Sequence, residues 1–256
     1  MLTGKRIVLT GATSGIGLEV LKLLVKGDNK IFAVGRNMKA LEGFDKDKVI
    51  PYQCDISTKQ NVDKLFEDAV TSLGVIDIFY SNAGFGYYEE FDYVNWERVE
   101  KLYSTNVISV MYSYQKYREY LNGREGHFAI TISAIGKMAI SGYAVYSSSK
   151  FALNGFQEAL RLERQKNITL TCLYPIATET AFFKEGFQKA FPVQSADVVA
   201  RAMVKGLEKK KKSVNPSKLF IFSEIIFKFF PFVKKIYLNM EYKKFLAYKA
   251  KYKNNK

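Results

Sequence analysis

The stretch that decides the fold is Thr10-Gly11-Ala12-Thr13-Ser14-Gly15-Ile16-Gly17, which follows the apolar run Ile7–Leu9. It connects a strand-like segment to an amphipathic, helix-like one, the context in which a glycine-rich turn becomes informative. Gly11 permits a sharp turn, Gly15 lets the backbone approach a pyrophosphate, and Gly17 allows close packing of helix on sheet. Because a helix N-terminus favours negative charge, the stretch predicts a dinucleotide-binding turn. The alternative is a glycine-rich turn that binds nothing.

Short β-branched or aromatic runs alternate with longer amphipathic stretches along the chain. The predicted strands are Arg6–Thr10, Lys30–Val34, Val49–Cys54, Ile76–Ser81, His127–Ser133 and Thr169–Tyr174, with a weaker seventh at Ser213–Val214. The predicted helices are Gly15–Lys26, Thr58–Leu73, Asn95–Leu121, Tyr143–Gln165 and Ala196–Lys212. This alternation is typical of successive βαβ units, so we predict an α/β fold with a doubly wound parallel sheet, a Rossmann fold.

Length and composition suit one such domain, because 256 residues with 48% hydrophobic content suffice for its core. We predict this domain over residues 1–212, with a lid over the site at about 177–194, and a C-terminal extension over 213–256. Neither Cys54 nor Cys172 belongs to a CxxC or Cys/His cluster, so we expect no metal site and no disulfide framework. With no secretory start before the first strand, the expected location is cytoplasmic.

The net charge of +14 is concentrated at one end of the chain. Residues Lys205 to Lys256 contain 15 Lys/Arg and 3 Asp/Glu, a balance of +12, which leaves the preceding residues nearly neutral. A neutral body with a basic appendage argues for an enzyme domain with a surface-binding extension, and against nucleic acid as a partner of the body.

The end of the second predicted strand distinguishes between nicotinamide cofactors. An acidic residue there would bind the ribose 2′-hydroxyl and repel a 2′-phosphate, but the sequence has Arg36. An arginine offers a fork of charge-assisted donors to a phosphate, so NADP(H) is favoured over NAD(H). The alternative is that Arg36 is a solvated surface charge.

Two further strand ends carry candidate cofactor contacts. Asp55 follows the third strand and is suited to accept from an adenine amino group, while Asn82-Ala83-Gly84 follows the fourth. Asp55 could equally be an N-cap-type residue, in competition with Ser57 and Thr58, and Asn82 could simply tie adjacent strands together.

Tyr146 and Lys150 carry the predicted chemistry, because a spacing of four residues puts them on the same face of a helix. A nearby ammonium favours the phenolate and would lower the tyrosine pKa from about 10, which suits general acid or base catalysis. Ser133, thirteen residues upstream of Tyr146, ends the fifth predicted strand and can donate to the reacting oxygen. A Tyr/Lys pair at this spacing is also common on ordinary helix surfaces.

In these motifs the chain resembles the short-chain dehydrogenase/reductase family in its single-domain form, over nearly residues 1–200. The matching residues are TGATSGIG at 10–17, NAG at 82–84, Asn106, Ser133 and the pair Tyr146/Lys150. The resemblance implies Tyr146 as the acid/base, Ser133 as an orienting donor, and Lys150 as holder of the nicotinamide ribose and modulator of Tyr146. It also implies that Asn106 supports a water relay to Lys150.

After the sixth strand the sequence departs from the family pattern, because Pro175 is followed by Ile176 where the family usually has a glycine. The contact to the nicotinamide carboxamide then falls to Thr178 or Thr180, of which Thr180 is preferred by position. The complete predicted cofactor set is Gly11, Thr13, Ser14, Gly15, Ile16, Gly17, Arg36, Asp55, Ile56, Asn82, Ala83, Gly84, Tyr146, Lys150, Pro175, Ile176, Thr178 and Thr180.

Apolar and aromatic residues dominate the predicted substrate side. They are Phe85, Tyr87, Tyr88, Ile135, Met138, Tyr143 and the lid residues Phe182, Phe183, Phe187 and Phe191. We therefore predict a small lipophilic carbonyl or alcohol as substrate, and an NADP(H)-dependent oxidoreductase that works chiefly as a carbonyl reductase. The alternatives are that these aromatics fill the core or a subunit interface, and that the chain is a catalytically idle dinucleotide-binding regulator.

The extension contains the aromatic and aliphatic segment Leu219–Leu238, which Glu224, Lys228, Lys234 and Lys235 interrupt. It has no uncharged run of the roughly 20 residues that a bilayer-spanning helix needs. With lysines behind it, the segment fits an interfacial helix on an anionic membrane, so we expect possible membrane association and keep a membrane-surface-tethered protein as an alternative function. It could instead pack on a neighbouring subunit. The helices Asn95–Leu121 and Tyr143–Gln165 resemble those that pair in family dimers and tetramers, so we expect a homodimer or homotetramer.

Overall fold

A computed structural model describes residues 2–91, 95–163, 167–180, 182 and 192–253. The strands are β1 Arg6–Thr10, β2 Lys30–Gly35, β3 Val49–Gln53, β4 Ile78–Ser81, β5 Gly126–Thr131, β6 Ile168–Leu173, β7 Thr178–Glu179, β8 Gln194–Ser195 and β9 Ser213–Val214. The helices are α1 Gly15–Leu24, α2 Lys59–Leu73, α3 Trp96–Tyr103, α4 Ser109–Leu121, α5 Ala144–Leu162, α6 Ala196–Glu208, α7 Lys218–Phe229 and α8 Pro231–Lys253.

Seven strands form one parallel sheet in the order β3-β2-β1-β4-β5-β6-β9. Side chains of β1 alternate between its two faces: Val8 packs in the core beneath α2, α4 and α5, whereas Ile7 and Leu9 pack beneath α1 and α6. Burial on both faces explains why the strands are almost continuously apolar. The predicted doubly wound α/β fold is confirmed, and the strand order reverses between β1 and β4, where such sheets form their binding crevice.

The predicted helix Asn95–Leu121 is interrupted by a π-helical turn, Ser104–Ile108, which separates α3 from α4. Asn106 lies at the centre of this turn, which sequence periodicity could not reveal. The fifth strand also ends earlier than predicted, at Thr131, and Ser133 instead precedes a short 3-10 turn at Ala134–Gly136.

The C-terminal segment predicted as one helix is two, α7 and α8, which are separated at Phe230 and Pro231. A proline suits the first position of a helix because it has no N–H to leave unpaired. Both helices lie against the body of the same chain, since Glu224 pairs with Lys137 at 3.0 Å and Lys249 of α8 pairs with Glu90. β9 pairs with β6 in the main sheet. The division at residue 212 stays a prediction.

None of the helices in the described part of the chain combines the length and apolar character needed to cross a bilayer.

Tyr117 joins α4 to the sheet with its hydroxyl group. This side chain is completely buried, and its hydroxyl donates to the backbone oxygen of Asp77 at 2.8 Å while accepting from the N–H of His127 at 3.1 Å. The same hydroxyl therefore satisfies polar groups at the start of β4 and within β5.

Tyr117→Phe is expected to lower the free energy of unfolding by about 1 kcal/mol, the net contribution of a lost hydrogen bond, because the N–H of His127 keeps its bond to the backbone oxygen of Asp77. Urea denaturation measures the change. Tyr242→Phe, at a half-exposed position on α8, is the matched control and should change stability little. Equal effects of the two substitutions would contradict the assigned bridge.

Candidate active site

A cleft of about 1450 Å³ opens at the carboxyl ends of the central strands. The residues predicted to bind cofactor that line it are Gly11, Thr13, Ser14, Gly15, Ile16, Gly17, Arg36, Asp55, Ile56, Asn82, Ala83, Gly84 and Thr180. These residues are far apart in sequence, and the crossover between β1 and β4 brings them together.

The glycine turn leaves room that any side chain would fill. Gly11 has a φ of +67°, and a Cβ there would lie 2.9 Å from the Cα of Ala83. A Cβ on Gly17 would lie 2.0 Å from the backbone oxygen of Gly11. The N-cap residue Ser14 makes no side-chain capping bond, so the first N–H groups of α1 face the cleft without that partner. Such a cradle fits the pyrophosphate of a dinucleotide.

Asn82 ties neighbouring strands together and also lines the cleft. Its side-chain Nδ2 donates to the backbone oxygen of Thr10 at 3.1 Å, and its Oδ1 accepts from the Thr131 hydroxyl at 2.9 Å. It thereby ties β4 to β1 and β5 while also lining the cleft. The Thr10 hydroxyl completes the link by accepting from the N–H groups of Asn82 and Ala83.

Two basic side chains lie where the adenosine ribose of a dinucleotide would be expected. Arg36 is exposed on the cleft after β2, and Lys39 follows it in a 3-10 turn, Met38–Leu41, capped by Asn37. Sequence reasoning missed Lys39, although a second basic residue three positions after Arg36 was available as a signal.

Asp55 lines the cleft and also organises its own loop, because its Oδ1 accepts from the N–H of Ser57 at 3.0 Å. Thr58, not Asp55, caps α2 by accepting from the N–H of Asn61. Asp55 is thus free of the N-cap role that competed with cofactor binding.

The residues predicted to be catalytic lie just beneath the cleft surface. Asn106 is fully buried, and its Oδ1 accepts from the N–H of Phe85 at 3.1 Å while its Nδ2 donates to the backbone oxygen of the same residue at 2.8 Å. A Cβ on Gly84 would lie 3.1 Å from Asn106 Oδ1 and 3.7 Å from Lys150 Nζ. Gly84 therefore leaves the space between these two side chains open.

Burial dominates the electrostatics of Tyr146 and Lys150. Lys150 Nζ donates to the backbone oxygen of Thr131 at 3.1 Å and lies 5.7 Å from the centre of the Tyr146 ring. Desolvation lowers the pKa of Lys150 to about 7. Desolvation also raises the pKa of Tyr146 well above its usual value, against a smaller opposing effect of a hydrogen bond with Ser133. The direction is opposite to the lowering expected from the sequence, because burial is the largest cause acting on the Tyr146 pKa.

Ser133 is held in an unusual backbone conformation, with a φ of 132°. Its hydroxyl donates to the backbone oxygen of Pro175 and accepts from the N–H of Ile135, both at 3.3 Å. A non-glycine residue with such a φ costs of order 1–3 kcal/mol and persists only where its surroundings hold it.

The segment after β6 separates the two threonine candidates. Thr180 lies against the glycine turn, since a Cβ on Gly15 would be 3.0 Å from its methyl group, and it lines the cleft. The Thr178 hydroxyl donates instead to the backbone oxygen of Ile176 at 2.9 Å. Among the described residues, Pro175, Ile176 and Thr178 do not reach the cleft wall.

A row of aromatic rings crosses the substrate side: Tyr248, Tyr88, Tyr143, Tyr146 and Phe182. Successive ring centres are 4.6, 4.7, 6.2 and 5.5 Å apart. Phe85, Tyr87 and Tyr88 line the cleft as predicted for the substrate side, whereas Ile135, Met138 and Tyr143 are not part of its described wall. The lid phenylalanines Phe183, Phe187 and Phe191 lie outside the described residues.

Tyr248 and Lys249 of α8 also line the cleft, and sequence reasoning missed both. Both lie in the predicted C-terminal extension, where no local pattern indicates that a helix returns to the site.

A metal centre is not apparent: over the described ranges, no three His, Cys, Asp or Glu side chains come together. The buried His127 instead shares a 2.7 Å hydrogen bond with Thr171.

Replacing Lys150 with methionine tests the buried amine. Because folding lowers the Lys150 pKa from 10.5 to about 7, the unfolded chain binds more protons than the folded one between these values, and stability rises with pH there. The difference in free energy of unfolding between the wild type and Lys150→Met should rise by roughly 2 kcal/mol in favour of the wild type from pH 7 to about pH 9. Below pH 7 this difference should stay nearly constant.

Urea denaturation at each pH measures this difference. Lys46→Met, at an exposed position, is the control and should follow the wild-type pH dependence. Parallel curves for wild type and Lys150→Met would contradict the lowered pKa.

Comparison with known proteins finds relatives over about 70% of this chain. It is 30% identical over 202 residues to a 3-ketodihydrosphingosine reductase from Bos taurus, which covers 73% of this chain and 61% of that protein. It is 28% identical over 195 residues to human 15-hydroxyprostaglandin dehydrogenase [NAD(+)], which covers 72% and 71%. The chain thus spans about three fifths of the length of the bovine relative.

Solved structures share the fold. A short chain dehydrogenase from Burkholderia cenocepacia in complex with NADP superimposes with a TM-score of 0.79 at 19% identity, over 92% of this chain and 98% of that one. A 3-ketoacyl-(acyl-carrier-protein) reductase from Brucella melitensis complexed with NADH gives a TM-score of 0.75 at 24% identity, over 84% and 97%.

The family model described as short chain dehydrogenase matches residues 5–190, which include the glycine turn, Asn106, Ser133, Tyr146 and Lys150. The protein is therefore a member of the short-chain dehydrogenase family of oxidoreductases.

Proposed function

We propose that this protein is an NADP(H)-dependent reductase of lipophilic aldehydes or ketones, in which Tyr146 transfers the proton. The observation that carries the proposal is the hydrogen-bonded pair Ser133 and Tyr146, which lies beside Lys150 under a cleft with a dinucleotide cradle at its other end. Dinucleotide binding alone would need only the cradle. The presence of Ser133, Tyr146 and Lys150 together favours an enzyme over a catalytically idle regulator.

The cradle residues would hold the cofactor across the sheet edge. The N-terminus of α1 and the backbone near Gly11 and Gly15 would face the pyrophosphate, and Thr180, which lies against Gly15, is the preferred carboxamide contact. Bound there, a nicotinamide dinucleotide supplies or accepts the hydride. Lys150 Nζ, anchored on the Thr131 carbonyl, is the donor that we assign to the nicotinamide ribose.

The raised pKa of Tyr146 suits proton donation to a carbonyl oxygen. A neutral phenol holds its proton until the substrate oxygen gains negative charge. Ser133 would donate a second hydrogen bond to that oxygen by turning its one hydroxyl proton away from the backbone oxygen of Pro175. Lys150, with a pKa of about 7, can return a proton to Tyr146. Asn106, on the other side of the space that Gly84 leaves, supports the water relay in this scheme.

Tyr146→Phe should reduce turnover of a hydrophobic ketone by about hundredfold or more, because it removes the proton donor. NADPH binding should be unchanged, since the substitution deletes no cofactor contact that we assign to the hydroxyl. Tyr103→Phe removes a tyrosine hydroxyl that donates to Ser148 and should keep turnover. NADPH oxidation and fluorescence titration measure the two properties, and turnover by Tyr146→Phe would contradict the mechanism.

The choice of NADP(H) rests on Arg36 and Lys39, two cations on the cleft with no described acid at the end of β2 to repel a phosphate. Relatives and neighbours include proteins with NAD and with NADP, so family membership does not decide the matter.

Arg36→Ala should weaken NADPH binding by about tenfold to hundredfold, the loss expected for a charge-assisted hydrogen bond, and leave NADH binding unchanged. Lys46→Ala is the control, as an exposed lysine away from the cleft. Titration with both cofactors decides: equal affinity of the wild type for NADH and NADPH would overturn the assignment.

A lipophilic substrate is favoured by Phe85, Tyr87, Tyr88, Phe182 and Tyr248 on the cleft wall. The bovine relative is named for reduction of a keto compound, 3-ketodihydrosphingosine, which supports the same class. The homo-oligomeric state and the cytoplasmic location stay predictions. A screen of hydrophobic aldehydes and ketones against NADPH oxidation tests the substrate class.

A further inference from the structure

The two C-terminal helices expose an unusual amount of apolar surface. Eleven of the eighteen large hydrophobic residues that are exposed in the described part of the chain lie between Leu219 and Leu246. Single exposed hydrophobic residues are ordinary, but a concentration of this kind marks an interaction surface.

Helix α7 presents its apolar side outward. Phe222, Ile225 and Phe229 are 59%, 52% and 69% exposed, and their spacing of three and four residues aligns them in one stripe. The opposite side faces the body, where Phe220 is buried and Glu224 pairs with Lys137. A helix that only covered the domain would not need a second apolar stripe on its solvent side.

Helix α8 extends the same surface. Phe232, Ile236 and Leu246 are exposed at helical spacing along it, and the ring of Tyr237 lies 5.9 Å from that of Phe227 on α7. We define the outer face by these exposed residues of the two helices: Phe222, Ile225, Phe229, Phe232, Ile236 and Leu246.

Unbalanced positive charge accompanies the outer face. Lys218, Lys228, Lys235 and Lys243 are exposed on the two helices. The acidic residues of α7 and α8 are already paired, Glu224 with Lys137 and Glu241 with Lys244. The surface therefore combines apolar stripes with lysines that carry a net positive charge.

We propose that the outer face of α7 and α8 docks the protein on an anionic lipid bilayer. Apolar side chains would enter the boundary between headgroups and acyl chains, and the lysines would lie among anionic headgroups, each worth about 1 kcal/mol. A second copy of the chain is a poorer occupant, because a two-fold contact would bring the same positive patch against itself.

Docking would also bear on the cleft, because α8 carries Tyr248 and Lys249 into the cleft wall. Lys249 pairs with Glu90, and the Tyr248 hydroxyl donates to the backbone oxygen of Tyr88. The bilayer-facing helix and the substrate-side wall are thus one element, so a lipophilic substrate would reach the cleft from the membrane surface. This consequence alone rests on the proposed function.

Vesicle co-sedimentation of the full chain tests the docking without any assay of activity. The wild type should bind phosphatidylcholine vesicles that contain about one third phosphatidylserine, bind less at high salt, and bind phosphatidylcholine alone much more weakly. Lys228→Glu/Lys235→Glu should weaken binding to the anionic vesicles by about tenfold or more. The matched control, Lys26→Glu/Lys46→Glu, reverses two exposed lysines elsewhere and should bind like the wild type.

A second variant reports insertion directly. Phe229→Trp, made in a Trp96→Phe background so that it holds the only indole, should shift its fluorescence to shorter wavelength on anionic vesicles. Circular dichroism and the thermal unfolding midpoint verify that each variant is folded.

Two results would overturn the proposal. One is a folded wild type that fails to bind the anionic vesicles at low salt. The other is a pair of observations made together. Both double variants would bind the anionic vesicles equally well, and Lys228→Glu/Lys235→Glu alone would change the molecular mass of the protein in sedimentation equilibrium. That result would make the outer face a contact between protein chains. Loss of vesicle binding in that variant, with NADPH-dependent turnover of a water-soluble ketone retained, would support docking and leave the proposed chemistry intact.

Discussion

The hydrogen bond from Lys150 to the backbone oxygen of Thr131 fixes the geometry of the whole site. It joins the helix that carries Tyr146 to the end of the strand that leads to Ser133, so both hydroxyl groups are positioned from one anchor. The anchor is buried, and an amine taken out of water gives up its proton more readily than an exposed one. The packing of α5 on the sheet edge therefore sets both the position of Lys150 and its affinity for a proton.

The architecture distributes the remaining tasks around this anchor. The glycine turn requires that backbone, not side chains, form the floor on the dinucleotide side. Asn82 holds three strand ends together beneath that floor, and the π-helical turn places Asn106 next to Gly84. Aromatic rings then form the other end of the cleft, where the wall comes from segments at opposite ends of the chain.

Local sequence patterns predicted what depends on local physics. The alternation of buried strands and amphipathic helices predicted the parallel sheet, and the glycine spacing predicted the position of the dinucleotide-binding turn. Both features depend on residues that are neighbours in sequence. The pattern could not show that Ser133 lies beyond β5 with a positive φ, since this depends on contacts with Pro175 and Ile135. Nor could it place Tyr248 and Lys249, whose position depends on tertiary packing across 160 residues of sequence. The pKa of Tyr146 was misjudged for a related reason: a charge is visible in the sequence, whereas burial is not.

The π-helical turn at Ser104–Ile108 has a consequence for how this segment tolerates change in length. A π turn accommodates one residue more than an α turn, so a single deletion there would restore a regular helix across α3 and α4. The faces of α3 and α4 would keep their relation, because the wider turn is what absorbs the extra residue, but the residues of the turn itself would shift. The amide of Asn106 would then lose its place beside Gly84, which makes this short segment a point where homologous genes should vary by substitution and not by gaps.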